Sequence, residues 1–462
     1  SRWKTATGIT LVLVCLVAGV IYACGIFYFK DKFFTGTTIN SIEASYDTVE
    51  EVEAIVASQV AKYRLLVKER GGSEDTIQAA DIGYQYAPAG EIKGFKEDQK
   101  AYKWPLMLVK SFSYEFASAA TYNVSELKTA IDSLTCFKPQ VEKAPEDAKL
   151  TFNGTTYELK KEQQGQKVIR EKAEAVIRKA IETGKTTVDL DAEDCYEKPS
   201  LTSGDPVLRK KYERLYHYTS VRVTYDFGDQ KETLDGSAIN NWLNVDEDGT
   251  VTLDSDAVAE YVYGLAQKYD TYGKTRSFKT HDGSTVEVSG GAYGWLIDQN
   301  AENEQLLSIL KDGLQVEREP VYAQTASTRR NCDLGNSYVE VDLSRQHLWM
   351  YRDGVVILEC DFVSGDTSKG NTTPPGVYSL YYKTSPFVLK SDTPGDSYET
   401  PVTYWMPFNG GIGFHDASWR GSFGGNIYTY SGSHGCVNMP TWAAAQMYEN
   451  ISAGYPIICY YR

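Results

Sequence analysis

The first long pattern along the chain is apolar and uninterrupted. From Ile9 to Phe29 no residue carries a charge. As a helix this run rises roughly 30 Å, about one hydrocarbon core. It predicts a membrane-spanning anchor over 9–29, with 1–8 as a cytoplasmic stub. A cleaved signal has a shorter apolar core. Ile21-Tyr22-Ala23-Cys24 offers a cleavage-like step, but the run continues past it, so the anchor reads as uncleaved. Arg2 and Lys4 precede the span and Lys30 and Lys32 follow it, so flanking charge does not set its orientation.

Residues 30–45 read as a mixed linker. A helix is then expected from the capping-box pair Thr48 and Glu51, with Val49, Val52, Val56, Val60, Tyr63 and Val67 at helical spacing and Gly71-Gly72 as its stop. Two later stretches share one order of patterns. In the first, Phe152–Leu159 reads as hairpin and strand. A helix follows through Ala173, Val176, Ile177 and Ile181 to Gly184. Val188 and Leu190 then alternate, and Tyr196 and Pro199 close the unit. In the second, Val286 and Val288 alternate before Gly290-Gly291. A helix runs through Leu306, Leu307 and Leu310 to Gly313, and Pro320 and Tyr322 close the unit. The order predicts two copies of one α+β module, 46–200 and 201–324. Val245–Gly249 lacks the residue order of a calcium loop and reads as a hairpin turn.

Residues 325–337 carry no periodicity and read as a linker. From Tyr338 the pattern turns to strands, at 338–341, 348–351 and 355–362, with Arg352-Asp353-Gly354 as the turn between the last two. Gly, Pro and Asn in 363–376 and 392–413 predict long loops. The chain is therefore expected to be multidomain: a transmembrane helix, two α+β modules and a mostly-β domain over 338–462.

Composition changes this picture little. There are 34 Tyr against 16 Phe. Tyr suits half-buried strands and open grooves, because its ring is apolar and its tip polar. Lys plus Arg number 47 against 62 Asp plus Glu, a formal charge of −15. An acidic chain without a long basic run is a poor nucleic-acid binder.

The chemistry concentrates between His415 and Asn438. The chain has five His, and two of them fall here beside a Cys, in Phe414-His415-Asp416 and Ser433-His434-Gly435-Cys436-Val437-Asn438. A nucleophilic Cys needs a base that favours thiolate, and donors for the oxyanion formed on the attacked carbonyl. His415 can be that base. The backbone N–H groups of Gly435 and Cys436 can be those donors. If 434–436 is extended, His434 and Cys436 share a face and His434 also polarises the site. A zinc site is the competing reading. His-x-Cys is tighter than usual zinc ligand spacing, and only His415 or Asp416 could complete the set.

The motif resembles the signature of the YkuD-type L,D-transpeptidase catalytic domain: a His, a spacer, then Ser/Thr-His-Gly-Cys-x-Asn. Tyr338–Asp342 and Gln346–Trp349 resemble the family's first strands, and Thr373-Pro374-Pro375-Gly376-Val377-Tyr378 its T-P-x-G-x-[FY] segment. Tyr404, Trp405, Met406, Trp419 and Arg420 stand where such proteins have substrate-facing loops, and Ser433 and Asn438 complete the motif. The upstream modules resemble the peptidoglycan-binding domain that often precedes this one, through Tyr-x-x-Pro unit ends and Gly-Ala-Tyr-Gly-Trp (291–295).

The resemblance implies a cysteine acyltransferase that needs no metal or organic cofactor. Cys436 would attack the third residue of a donor tetrapeptide stem, and His415, its ring oriented by the Asp416 carbonyl, would act as base. Release of D-Ala leaves a thioester, which the amine of an acceptor stem resolves to a 3→3 cross-link. The partners implied are peptidoglycan stems and the cytoplasmic membrane, with carbapenems as covalent inhibitors. An L,D-carboxypeptidase, or a wall-binding protein with a vestigial domain, are the alternatives. Outside the cell, disulfides are allowed. Cys136 and Cys195 each precede an aromatic residue and then a proline, and are expected to pair.

Overall fold

The computed structural model describes residues 2–117, 120–391 and 397–462. The expected loop positions 392–396 thus lie outside the described residues. The chain divides into two compact units, Ser1–Lys149 with Lys160–Ser203, and Leu150–Leu159 with Gly204–Arg462.

The first unit begins with an apolar helix, Arg2–Tyr28. Its stretch Thr5–Tyr28 is long and apolar enough to cross a membrane, and no residue of its apolar window is buried inside the protein. Residues 30–45 are not a linker. Strands Thr37–Ile39 and Ile42–Glu43 form there, and the first of them pairs in parallel with Phe112–Tyr114. Phe33, Ile39 and Ala44 are buried with Val52, Val56 and Ile92, because so apolar a stretch cannot stay in water.

The expected helix from Val49 is real but shorter. The Thr48 hydroxyl and the Glu51 carboxylate cap each other's N–H groups, and the helix ends at Val60. Tyr63 lies beyond that end, and Val67 lies in a strand. Leu65 and Val67 point into the core from Arg64–Lys68, a strand that turns at Gly71 and Gly72 (φ +96° and +88°) and pairs with Glu74–Gln78. Period two overrides the apparent helical spacing because both residues bury on one strand face.

The repeat is visible as shared topology. In the first unit the hairpin of Arg64–Lys68 and Glu74–Gln78 is followed by helix Arg170–Glu182. Strand Thr187–Asp189 then pairs in parallel with Arg64–Lys68. In the second unit the hairpin of Arg222–Asp226 and Lys231–Leu234 is followed by helix Gln299–Asp312. Strand Gln315–Arg318 pairs in parallel with Arg222–Asp226. Both sheets have the returning strand on one side of the hairpin's first strand. The hairpin at 150–159 belongs to the second unit. There the Thr156 and Thr219 hydroxyls meet at 3.1 Å, and Gly236 leaves the space: a Cβ would sit 1.9 Å from the Thr155 carbonyl oxygen.

Among the described residues, the C-terminal domain has two larger sheets and a two-stranded one, Phe387–Ser391 with Tyr398–Val402. The five-stranded sheet runs Val355–Asp361, His347–Arg352, Tyr338–Asp342, Pro456–Tyr460, Gly376–Ser379, with only the pair Tyr338–Asp342 and Pro456–Tyr460 parallel. Asp353 and Gly354 take positive φ in the expected hairpin turn. The three-stranded sheet joins Trp405–Asn409, Ile412–Asp416 and Val437–Met439. Much of 397–413 is therefore strand rather than loop. Helix Thr441–Asn450 and both larger sheets enclose one core, which includes Val341, Met350, Phe362, Phe408 and Phe414.

The expected linker 325–337 carries no strand, but it is pinned. Arg276 and Asp333, both buried, form an ion pair at 2.9 Å, and the same guanidinium donates to the carbonyls of Thr271, Lys274, Tyr293 and Cys332. A buried charge persists where every donor finds an acceptor.

Candidate active site

Strand pairing assembles the motif. Ile412–Asp416 runs parallel to Val437–Met439 and sets His415 opposite Asn438. Cys436 precedes that strand and shares the floor of a pocket of about 230 Å³ with His415 and Asn438. Trp419, Arg420, Ser433 and His434 line it too, as do Gly432, next to the motif, and three residues from farther away that the sequence did not single out: Leu389, Tyr398 and Thr400. These come from a hairpin, Phe387–Ser391 with Tyr398–Val402. The short apolar run Phe387-Val388-Leu389 was the available signal for the first of these strands.

His415 is buried, and its orientation is set from both sides. Its Nδ1–H donates to the Asp416 carbonyl at 2.9 Å. The amide orientation of Asn438 that satisfies every neighbour donates to Nε2 at 2.9 Å and accepts from Arg420 Nε at 2.8 Å. The imidazole is thereby the Nδ1–H tautomer with Nε2 as the basic nitrogen. Burial pushes its pKa below the ordinary value, partly opposed by the Asp416 backbone bond and charge. The Asp416 carboxylate does separate work, accepting the N–H groups of Thr403 and Tyr404, both at 2.8 Å. Trp419 stacks over His415 with ring centroids 5.9 Å apart.

Cys436 is buried, and burial pushes its thiol up to about 11, with a backbone hydrogen bond to Gly413 pulling the other way. Its Sγ faces the Gly411 carbonyl at 3.6 Å. Burial thus disfavours both charged forms, the Cys436 thiolate and the His415 imidazolium.

The loop before Cys436 is held by its own hydrogen bonds. The Ser433 hydroxyl donates to the Cys436 carbonyl at 2.5 Å and accepts the Gly435 N–H at 3.1 Å. The hydroxyl of Thr373, from the Thr-Pro-Pro-Gly segment, donates to the Gly435 carbonyl at 2.7 Å and accepts the Gly365 N–H at 3.1 Å. Gly435 has φ +118°, which a side chain would resist, and a Cβ there would meet Ile412 at 3.0 Å. This conformation breaks the extended run expected for 434–436. His434 stands exposed, its ring 4.7 Å from Tyr398, while Cys436 is buried.

Three expected substrate contacts lie elsewhere. Met406 is fully buried in the main core, and Tyr404 packs on Tyr448. Trp405 is buried behind the pocket with Cys436, stacked on Phe387. Strand Trp405–Asn409 is buried on both faces for most of its length, which leaves Trp405 and Met406 no route to a ligand, and Tyr404, partly buried, does not line the pocket. Cys136 and Cys195 are free thiols rather than the expected disulfide. Both lie in one core cluster, but Cys136 is engaged by Glu69 and Cys195 Sγ faces the Glu193 carbonyl at 3.7 Å.

The domain thus holds a His on one strand and a Cys immediately before the strand paired with it, an arrangement suited to cysteine acyl transfer. A family model described as the L,D-transpeptidase catalytic domain, YkuD, matches residues 336–459. A peptidoglycan binding domain model matches twice, over 90–189 and 212–317. The crystal structure of a mutant Enterococcus faecium L,D-transpeptidase is 34% identical over 54% of this chain and 100% of that one, with a TM-score of 0.47. The Enterococcus faecium catalytic domain acylated by ertapenem is 39% identical over 27% of this chain and 98% of that one, with a TM-score of 0.26. An L,D-transpeptidase from Mycobacterium smegmatis is 25% identical over 27% of this chain and 58% of that one, with a TM-score of 0.24. No curated protein matches the chain. On the family models and the sequence identity, the chain belongs to the L,D-transpeptidase family.

Proposed function

We propose that this protein cross-links peptidoglycan stems through a thioester on Cys436. The observation that carries the reading is the pairing of a buried Cys with a His whose tautomer leaves Nε2 basic, both on the floor of one pocket. Donor binding displaces the Asn438 amide from Nε2, and His415 then takes the thiol proton as sulfur attacks the carbonyl of the third stem residue. The N–H groups of Gly435 and Cys436 stabilise the oxyanion once the Ser433 hydroxyl releases the former. The C–N bond to terminal D-Ala breaks, and the imidazolium protonates the departing amine. The acceptor's side-chain amine then attacks the thioester and gives its proton to His415. The C–S bond breaks, and the thiol is restored. Trp419, Arg420 and the hairpin residues Leu389, Tyr398 and Thr400 would position the stem.

The apolar helix Arg2–Tyr28 would hold the chain in the cytoplasmic membrane, with both peptidoglycan-binding modules and the catalytic domain on the wall side. The relative acylated by ertapenem supports a further reading: a carbapenem opens on Cys436 and remains as a thioester.

The test is mass spectrometry of products from purified disaccharide tetrapeptide. Dimers joined from third residue to third residue are expected. Tripeptide monomers alone would make water the acceptor and the enzyme an L,D-carboxypeptidase. No turnover by folded protein would return the reading to a wall-binding protein with a vestigial domain.

A further inference from the structure

The segment Ala101–Leu108, a run of 3-10 helix, packs against the last turns of the apolar helix. Tyr22 donates its hydroxyl to the Tyr102 carbonyl at 2.8 Å, and the Trp104 indole N–H donates to the Tyr22 carbonyl at 3.1 Å. Gly25 makes the approach possible, since a Cβ there would lie 2.3 Å from the indole ring. Phe29 stacks on the same ring at 6.2 Å. Tyr22 lies about 9 Å below the helix end at Tyr28, so the segment reaches well down the helix rather than resting on its tip.

What the segment turns outward is apolar. Leu106, Leu108 and Val109 are 46%, 71% and 85% exposed. Lys100, Lys103 and Lys110 are exposed around them, and no acidic residue occurs from Gln99 to Tyr114. An apolar groove of about 670 Å³ runs along the helix beside Trp104, lined also by Val20, Ile21 and Phe27. Water is a poor neighbour for such a surface. On the helix itself, Trp3 and Tyr22 are separated by about 28 Å of rise, close to one hydrocarbon thickness. Aromatic residues favour both boundaries of a bilayer, which puts Tyr22, and Trp104 with it, at the outer one.

We propose that residues 101–109 form a second membrane element, an interfacial loop seated in the phospholipid bilayer beside the span. Leu106, Leu108 and Val109 enter the upper acyl chains. Lys100, Lys103 and Lys110 lie along the lipid phosphates, where long cationic side chains reach out of an apolar layer. The proposal rests on the reading of Arg2–Tyr28 as a membrane span. Span and loop together give the first unit two attachments, which fix its tilt on the membrane as well as its tether.

The test uses the full chain in phospholipid nanodiscs whose acyl chains carry bromine near the headgroup end. The fluorescence of Trp104 is obtained by subtracting that of Trp104→Phe. The proposal expects Trp104 to lose most of its intensity relative to unbrominated nanodiscs. Leu106→Asp with Leu108→Asp and Val109→Asp, all at exposed positions, should stay in the nanodisc through the helix yet recover much of the Trp104 signal. Retention in the nanodisc with Trp104 unquenched, or quenching unchanged in the triple variant, overturns the loop and leaves the span intact. A chain that does not enter the nanodisc overturns the span and the loop together.

Discussion

The Asn438 amide donates to Nε2 of His415 at 2.9 Å, and Arg420 holds the oxygen of that amide. The basic nitrogen is thus occupied until a substrate enters. A donor on Nε2 favours the neutral ring, so its loss makes protonation easier and raises the His415 pKa. For Asn438→Ala the acidic limb of acylation rate against pH should therefore move to higher pH. One lost hydrogen bond of about 1 kcal/mol should also slow acylation roughly fivefold through poorer ring positioning. An unmoved limb would mean that Asn438 does not govern the base.

Cys436 supplies a second pH signature. Its buried thiol is raised to about 11. Alkylation of the free enzyme by iodoacetamide should climb through pH 9 without a plateau at neutral pH, and Cys436→Ala should remove that signal. A thiolate paired with imidazolium would instead react fully at neutral pH.

The two His residues should separate cleanly. His415→Ala removes the buried, oriented base, and general-base catalysis is typically worth roughly 100-fold or more. His434 is exposed at the rim beside Tyr398, so His434→Ala should act mainly on substrate affinity. Single-turnover acylation of both variants decides, and a larger rate loss at His434 would reverse the roles.

Much of this site could be read from sequence because its chemistry is local. Six consecutive residues, Ser433 to Asn438, carry the nucleophile, its loop serine and the amide that faces the base. What required the fold was everything brought in from a distance. Leu389, Tyr398 and Thr400 reach the pocket from two paired strands, and Tyr398 and Thr400 fall in the stretch 392–413 whose Gly, Pro and Asn content reads as loop. Trp405 and Met406 show the reverse error. A strand buried on both faces does not alternate, and its aromatic residues look like surface contacts. Val67 reads as helical because spacings of seven from Val60 and four from Tyr63 fit that period, although the Gly71-Gly72 stop serves a hairpin equally well. The parallel return strands of the two modules could not be read locally either, since pairing partners lie more than 90 residues apart, as with Val223 and Val316.

A carbapenem should add one drug mass to the wild-type protein and nothing to Cys436→Ala in intact-protein mass spectrometry. The strained ring opens on sulfur, and the resulting thioester is held on a buried side chain. An adduct on the alanine variant would place the reactive group elsewhere.

The most direct measurement is the mass of the enzyme caught during turnover of a tetrapeptide stem without acceptor, in acid-quenched samples. The account predicts a species heavier by the donor less D-Ala, bound at Cys436, which disappears when an acceptor stem is added as 3→3 dimer forms. Cross-linked dimer produced at an undiminished rate by Cys436→Ala, with no acyl-enzyme, would contradict it.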